Sequence, residues 1–146
     1  MLDPFMITLG LQAEVPTPGQ ARVWGVIRPE FLNSWGSAHG GFLYSLADAA
    51  FALASNSHGT LAVALAAHME YLQASQAGAA VEALATEVHL GRRTAVYRVE
   101  VRSGSNLLAI FTGTVYRRPG HGSSLSSRFQ PDSRPVRPDP CRGFND

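Results

Sequence analysis

The apolar residues of this chain follow a helical period once and then, from residue 61 onward, a period of two, and that single switch leaves few folds open. From Gly40 to about Asn56 the run FLYSLADAAFALAS places Phe42, Leu46, Ala49, Ala50 and Leu53 on one stripe, which predicts one long helix. Its many alanines keep it thin, as suits a helix closely wrapped by a curved sheet. After it, strands are expected near 61–72, 79–90, 94–103 and 107–117, broken at Ala77-Gly78, Gly91-Arg92-Arg93 and Ser103-Gly104-Ser105. The clearest sets Ala95, Tyr97, Val99 and Val101 inward against Val96, Arg98, Glu100 and Arg102. An earlier strand is expected over 21–28, where Ala21, Val23, Gly25 and Ile27 alternate with Arg22, Trp24, Val26 and Arg28. Pro29 to Ala38 reads as a loop. One strand, one helix and four strands joined by short turns predict an α+β domain with the helix packed on a mostly antiparallel sheet.

The ends are simpler. Asp3 as N-cap, Pro4 at the first helical position and Gly10 as the stop predict a short amphipathic helix at the start, a lid or packing arm. Residues 119–146 carry paired serines and five prolines without periodicity, and are expected to be a flexible Pro/Ser/Arg-rich tail behind a single domain over 1–118. A domain of this size buries only about two-thirds of its unfolded surface, so self-association is expected.

Charge excludes more than it identifies. A net charge of +1 argues against a dedicated nucleic-acid binder, and no stretch approaches the roughly 18 apolar residues of a membrane span. All 12 basic residues are Arg, which fits a GC-rich genome as well as selection for phosphate contacts. The single cysteine, Cys141, lies in the tail, so a disulfide framework or a Cys-spaced metal site is not expected. A cytoplasmic protein without metal is the expectation.

The chemistry concentrates in Asn33, His39-Gly40-Gly41 and Asp48. A helix start leaves backbone N–H groups unpaired at the positive end of the dipole, and glycine lets a substrate carbonyl approach them, so Gly40 or Gly41 can polarise a carbonyl that is becoming tetrahedral. Asp48 is the only acidic residue between Glu30 and Glu70 and faces away from the apolar stripe. It reads either as a solvated carboxylate or as a group that activates water or attacks a carbonyl. His39 fits a helix cap, a loop brace or a substrate contact, and Asn33 fits turn chemistry or a water-holding role. Arg92-Arg93-Thr94 occupies a turn, where arginines are either solvated or hold phosphate. Gly113, inside an apolar strand, implies a bulge or a close approach by something such as a ligand's thin arm. Gly36-Ser37-Ala38-His39-Gly40 is not a nucleophile elbow, no P-loop or dinucleotide fingerprint is present, and His68-Met69-Glu70 has no C-x-x-C to complete a zinc-deaminase signature.

Taken together, Asn33, the segment Ala38 to Asn56, Met69-Glu70-Tyr71-Leu72, Gly91 to Ala95 with the following VYRVEV, and Phe111 to Val115 resemble the PaaI-type phenylacetic acid degradation thioesterases of the hotdog superfamily. The resemblance spans roughly residues 3–118. It implies a long helix wrapped by a five-stranded antiparallel sheet, chains paired edge to edge as a homodimer or homotetramer, and active sites between subunits. It also implies hydrolysis of acyl-CoA thioesters, frequently aryl-acetyl ones, with neither metal nor cofactor. Asp48 would then be general base or nucleophile, the Gly40-Gly41 N–H groups would bind the thioester oxygen, Asn33 would position water or carbonyl, and His39 would support that loop. Arg92, Arg93 and Thr94 match the region that contacts the coenzyme A moiety. One departure stands out: where some relatives carry Ser or Thr after the helix, this chain has Ala64. Medium-chain or hydroxybenzoyl thioesters, or non-catalytic acyl-CoA binding, are the alternative readings.

Overall fold

Asp3 and Pro4 open the first element as expected: in the computed structural model, which describes residues 2–119, α1 runs Pro4–Thr8 and Asp3 Oδ1 accepts the Met6 N–H at 2.8 Å. Gly10 follows with a φ of 71°, a conformation that L side chains resist. Strands β1 (Gln12–Glu14) and β2 (Gln20–Val26) come next, then a 3-10 turn over Pro29–Phe31 and the long helix α2 over Gly40–Ser55. Four strands complete the chain: β3 (Leu61–Tyr71), β4 (Ala80–Leu90), β5 (Thr94–Ser103) and β6 (Asn106–Arg118). Most of the expected tail, residues 120–146, lies outside the described residues.

All neighbours in the sheet are antiparallel, in the order β1-β2-β4-β5-β6-β3. The sheet therefore has six strands where five were expected. The extra one is β1, whose Gln12, Ala13 and Glu14 pair with Trp24, Val23 and Arg22. Three residues are too few to display a period, so pairing with β2 makes this strand rather than any local pattern. The strand expected over 21–28 ends at Val26, although Ile27 stays buried and its N–H donates to the Ala79 carbonyl at 3.0 Å.

The core lies between α2 and the concave face of the sheet. Val23, Val81, Ala83, Ala85, Tyr97, Val99, Val101, Phe111 and Val115 supply the sheet side, and with Ala95 they include the set Ala95, Tyr97, Val99 and Val101 read as inward. The helix contributes Phe42, Leu46, Ala49 and Ala50 as expected, and also Leu43, Ala47, Phe51 and Ala54, while Leu53 is only half-buried. Each large side chain so buried contributes roughly 1.5–3 kcal/mol. A Cβ on Gly113 would sit 2.6 Å from the Phe51 ring, so it is this ring, not a ligand, that approaches the β6 glycine. The bulge in that region is on the neighbouring strand, between Ala64 and Ala66 of β3.

Both ends of α2 are tied down. At its start the Ala38 N–H donates to Ser75 O and the His39 N–H to Phe31 O, each at 2.7 Å, and Phe31 stacks on Phe42 at 4.5 Å between centroids. At its end Asn56 Oδ1 accepts the Ala62 N–H at 2.9 Å, joining the helix to β3.

Candidate active site

The loop before α2 is shaped by one side chain. Asn33 Oδ1 accepts the N–H groups of Trp35 at 2.9 Å and Ser37 at 3.1 Å, and the Asn33 N–H donates to Ser37 O at 2.7 Å. Gly36, at a φ of 80°, lets the chain reverse between them. The carboxamide oxygen is thus committed to the loop, and its nitrogen donates to no partner among the described residues.

His39 is the N-cap of α2, one of the roles read for it. Its Nδ1 accepts the Gly41 N–H at 2.8 Å, so of the two glycines it is Gly40 whose N–H has no acceptor among the described residues. Both positions are confined by the protein itself: a Cβ on Gly40 would lie 3.2 Å from the Tyr71 ring, and one on Gly41 would lie 2.9 Å from His39 Nδ1. The Tyr71 hydroxyl donates to Gly40 O at 3.2 Å, and burial, then the neighbouring Tyr44, pushes its pKa up.

Around Gly40 opens a cavity of about 430 Å³ whose walls include Asn33, Trp35, Leu43, Tyr71 and Leu72. Trp35 and Tyr71 were not singled out as site residues from the sequence. An indole 90% exposed to solvent beside Asn33 is a strong signal, but only the folded loop reveals it.

Asp48 lies eight residues beyond Gly40, about 12 Å along the helix, and does not line this cavity. It opens to solvent in the single chain, on the same exposed side of α2 as Gly41, Tyr44 and Ala52. Its surroundings nevertheless hold its carboxyl above the usual carboxylate pKa, desolvation first and the charge of Asp3 second. Tyr44 meets Phe111 edge-on at 5.5 Å, bridging this side of the helix to β6.

Arg92, Arg93 and Thr94 lie exposed in and beside the β4–β5 turn, at the other end of the molecule. Thr94 pairs with Tyr116, next to the Leu61–Arg118 pair at the start of β3, whereas Tyr71 at the end of β3 meets Gly40. Roughly the length of α2, about 24 Å, separates this turn from the Gly40 cavity within one chain. Among the described residues no three His, Cys, Asp or Glu side chains cluster as a metal would require. Among those residues no helix is long and apolar enough to cross a membrane.

A thin helix laid against one face of an antiparallel sheet defines a hotdog-fold protein. The family model for the thioesterase superfamily matches residues 36–110. The chain is 49% identical to a protein of Archaeoglobus fulgidus over 100 residues, 68% of this chain and 65% of the archaeal one, just under two thirds of that relative's length. It is 39% identical to the acyl-coenzyme A thioesterase PaaI of Escherichia coli over 77% of this chain and 81% of that protein. A variant of the phenylacetic acid degradation protein PaaI from Thermus thermophilus superposes with a TM-score of 0.77 at 58% identity, covering 80% of this chain and all of that one. The chain belongs to the thioesterase superfamily, and PaaI proteins are among its relatives.

Proposed function

We propose that this protein hydrolyses acyl-CoA thioesters of the aryl-acetyl type, phenylacetyl-CoA being the model substrate, to the free acid and CoA. The observation that carries the reading is the free Gly40 N–H at the positive end of α2, inside a cavity walled by Asn33 and aromatic side chains. The name of the Escherichia coli relative, an acyl-coenzyme A thioesterase, supports an acyl-CoA substrate, and that of the Thermus thermophilus relative, a phenylacetic acid degradation protein, supports the aryl-acetyl class.

In this reading the thioester oxygen lies against the Gly40 N–H. Gly41 has its N–H held by His39, so it joins only when His39 turns away and otherwise keeps the helix start in shape. Because Asp48 of the same chain lies about 12 Å along α2 from Gly40, the carboxylate at this carbonyl comes from a second chain: its Asp48 removes a proton from water, whose oxygen attacks the carbonyl carbon, or attacks that carbon itself with water cleaving the resulting anhydride. The oxyanion collapses, the C–S bond breaks, and the CoA thiolate takes up a proton. The free Asn33 nitrogen donates to the water or the carbonyl. Arg92, Arg93 and Thr94 hold the CoA phosphates.

Because that turn and the cavity lie at opposite ends of one chain, a complete site in this reading combines two chains. Edge strand β3 offers the joint: Val63 and Leu65 are exposed and its outer edge has no partner strand among the described residues. A homodimer, or two such dimers, is the proposed working form, with substrate as its only other partner and no cofactor.

The test is thiol release from phenylacetyl-, hydroxyphenylacetyl-, hydroxybenzoyl-, hexanoyl- and acetyl-CoA by wild type and Asp48→Asn. Aryl-acetyl turnover that disappears in the variant is expected. Silence across the panel from folded protein that still binds CoA esters would instead make it an acyl-CoA binder.

A further inference from the structure

Past the end of α2 the concave face of the sheet turns polar. Glu87 of β4 stands opposite Tyr97 of β5, and Arg117 of β6 lies two residues beyond the buried Val115. One carboxylate oxygen, Glu87 Oε2, accepts the Tyr97 hydroxyl at 2.7 Å and pairs with His58 Nε2 at 2.6 Å. Ser57 Oγ, next to His58, accepts the Gly19 N–H at 2.7 Å, so the loop after α2 is pinned to the sheet on both sides.

Arg117 extends this cluster to the β4–β5 turn. Its Nη1 donates to Gly91 O at 2.8 Å and its backbone N–H to Arg93 O at 2.6 Å, so one residue grips the carbonyls on either side of Arg92. Gly91 closes the turn by donating to Thr94 O at 2.8 Å, at a spot where a Cβ would meet that same oxygen at 2.7 Å. Arg117 Nε is buried and has no acceptor among the described residues. The guanidinium is thus oriented by the turn carbonyl while its charge rests near Glu87. Arg92 and Arg93, by contrast, are exposed.

We propose that Arg117 is a positioning residue for the nucleotide end of the substrate, setting the backbone of Gly91 to Arg93 so that Arg92, Arg93 and Thr94 converge on phosphate. This rests on the reading that the turn holds coenzyme A. Arg117 itself does not touch the ligand. Its effect is to reduce the number of turn conformations that binding must otherwise select.

The experiment compares phenylacetyl-CoA with phenylacetyl-pantetheine, which has the same acyl group and thioester but no nucleotide phosphates, and adds a calorimetric titration with free CoA. Arg117→Met keeps the backbone bond to Arg93 and deletes the donor to Gly91. It should raise KM for phenylacetyl-CoA and Kd for CoA about tenfold, the scale of one misaligned charge-assisted contact, with kcat and the pantetheine KM unchanged. Arg117→Lys should recover part of the loss.

Equal losses on both esters, or no loss on either, would overturn the proposal. Should Arg117→Met fail to fold, Arg117→Lys decides by the same split at smaller amplitude, and a wild-type KM on both esters refutes it. If wild type hydrolyses neither ester yet its CoA affinity still falls in Arg117→Met, the thioesterase reading fails and this inference stands. A wild type that does not bind CoA removes the inference itself.

Discussion

His39 Nδ1 accepts the N–H of Gly41 at 2.8 Å, so the side chain that caps α2 is fixed directly beside the free amide of Gly40. The contact replaces one of the hydrogen bonds that a helix start lacks. His39→Ala should therefore cost about 1 kcal/mol of folding stability, read as a lower urea midpoint at unchanged slope, and His39→Asn should cost less. Equal midpoints for wild type and His39→Ala would show that the cap carries no weight.

Asp48 has a raised pKa from desolvation and then from Asp3, and a base works only when deprotonated. The acid limb of kcat/KM should thus lie above the ordinary aspartate value of 3.8. Asp3→Asn, which retains an N-cap oxygen, should move that limb to lower pH. Asp48→Asn should lower kcat by roughly 10²–10⁴-fold. The same shift predicts a stability gain: the fold disfavours the charged form, so wild type gains stability as pH falls through the raised value, and Asp48→Asn should melt higher than wild type at neutral pH. A variant with full activity would remove Asp48 from the chemistry.

How far the sequence revealed these features depended on whether the cause was local. Half-buried strands impose a period of two on themselves, so β4 to β6 and the inward set Ala95, Tyr97, Val99 and Val101 were legible, whereas β3 shows alternation in its sequence but buries only Ala62. The cap at Asp3 was legible for the same reason, since donor and acceptor lie three residues apart. Strand β1 exists only through its pairing with β2, and Tyr71 reaches Gly40 only because β3 runs back along α2. Nothing near Gly40 in sequence announces that ring. The separation of the Gly40 cavity from the Arg92 turn likewise follows from strand direction, which side-chain pattern does not encode.

Gly113 allows the tightest approach between helix and sheet that involves a glycine. An added methyl would fall 2.6 Å from Phe51, a ring buried on all sides. Gly113→Ala should destabilise by about 1–3 kcal/mol through overpacking, and Phe51→Leu in the same chain should return part of the loss. Additive losses in a double-mutant cycle would show that the two residues do not meet in this way.

Glu87 couples the polar cluster to pH. Burial alone would raise its pKa, but the hydrogen bonds from His58 and Tyr97, with the charges of His58 and Arg117, outweigh burial and hold it below 4.5. A depressed carboxylate stabilises the fold above its unfolded pKa, and that contribution is lost as pH falls through the folded value. Acid unfolding midpoints should accordingly show a smaller fall below about pH 4.5 in Glu87→Gln than in wild type. Tyr97→Phe, which deletes one donor, should cost about 0.5–1.5 kcal/mol at neutral pH. An identical acid profile in Glu87→Gln would mean that the cluster does not couple folding to proton uptake.

Edge strand β3 carries the strongest expectation about assembly. Its pattern LAVALAAHMEY leaves Leu65 60% and Val63 50% exposed, on a strand whose far edge has no partner among the described residues. An exposed apolar edge of this length invites pairing with another strand, and lysine is the residue that natural edges use to prevent it. Leu65→Lys should shift the sedimentation mass from an oligomer toward the monomer. If active sites combine two chains, thioesterase activity should fall with the oligomer fraction and recover as protein concentration rises. Activity that is independent of concentration in a monomeric variant would place the whole reaction within one chain and return the Arg92 turn to the role of a solvated loop.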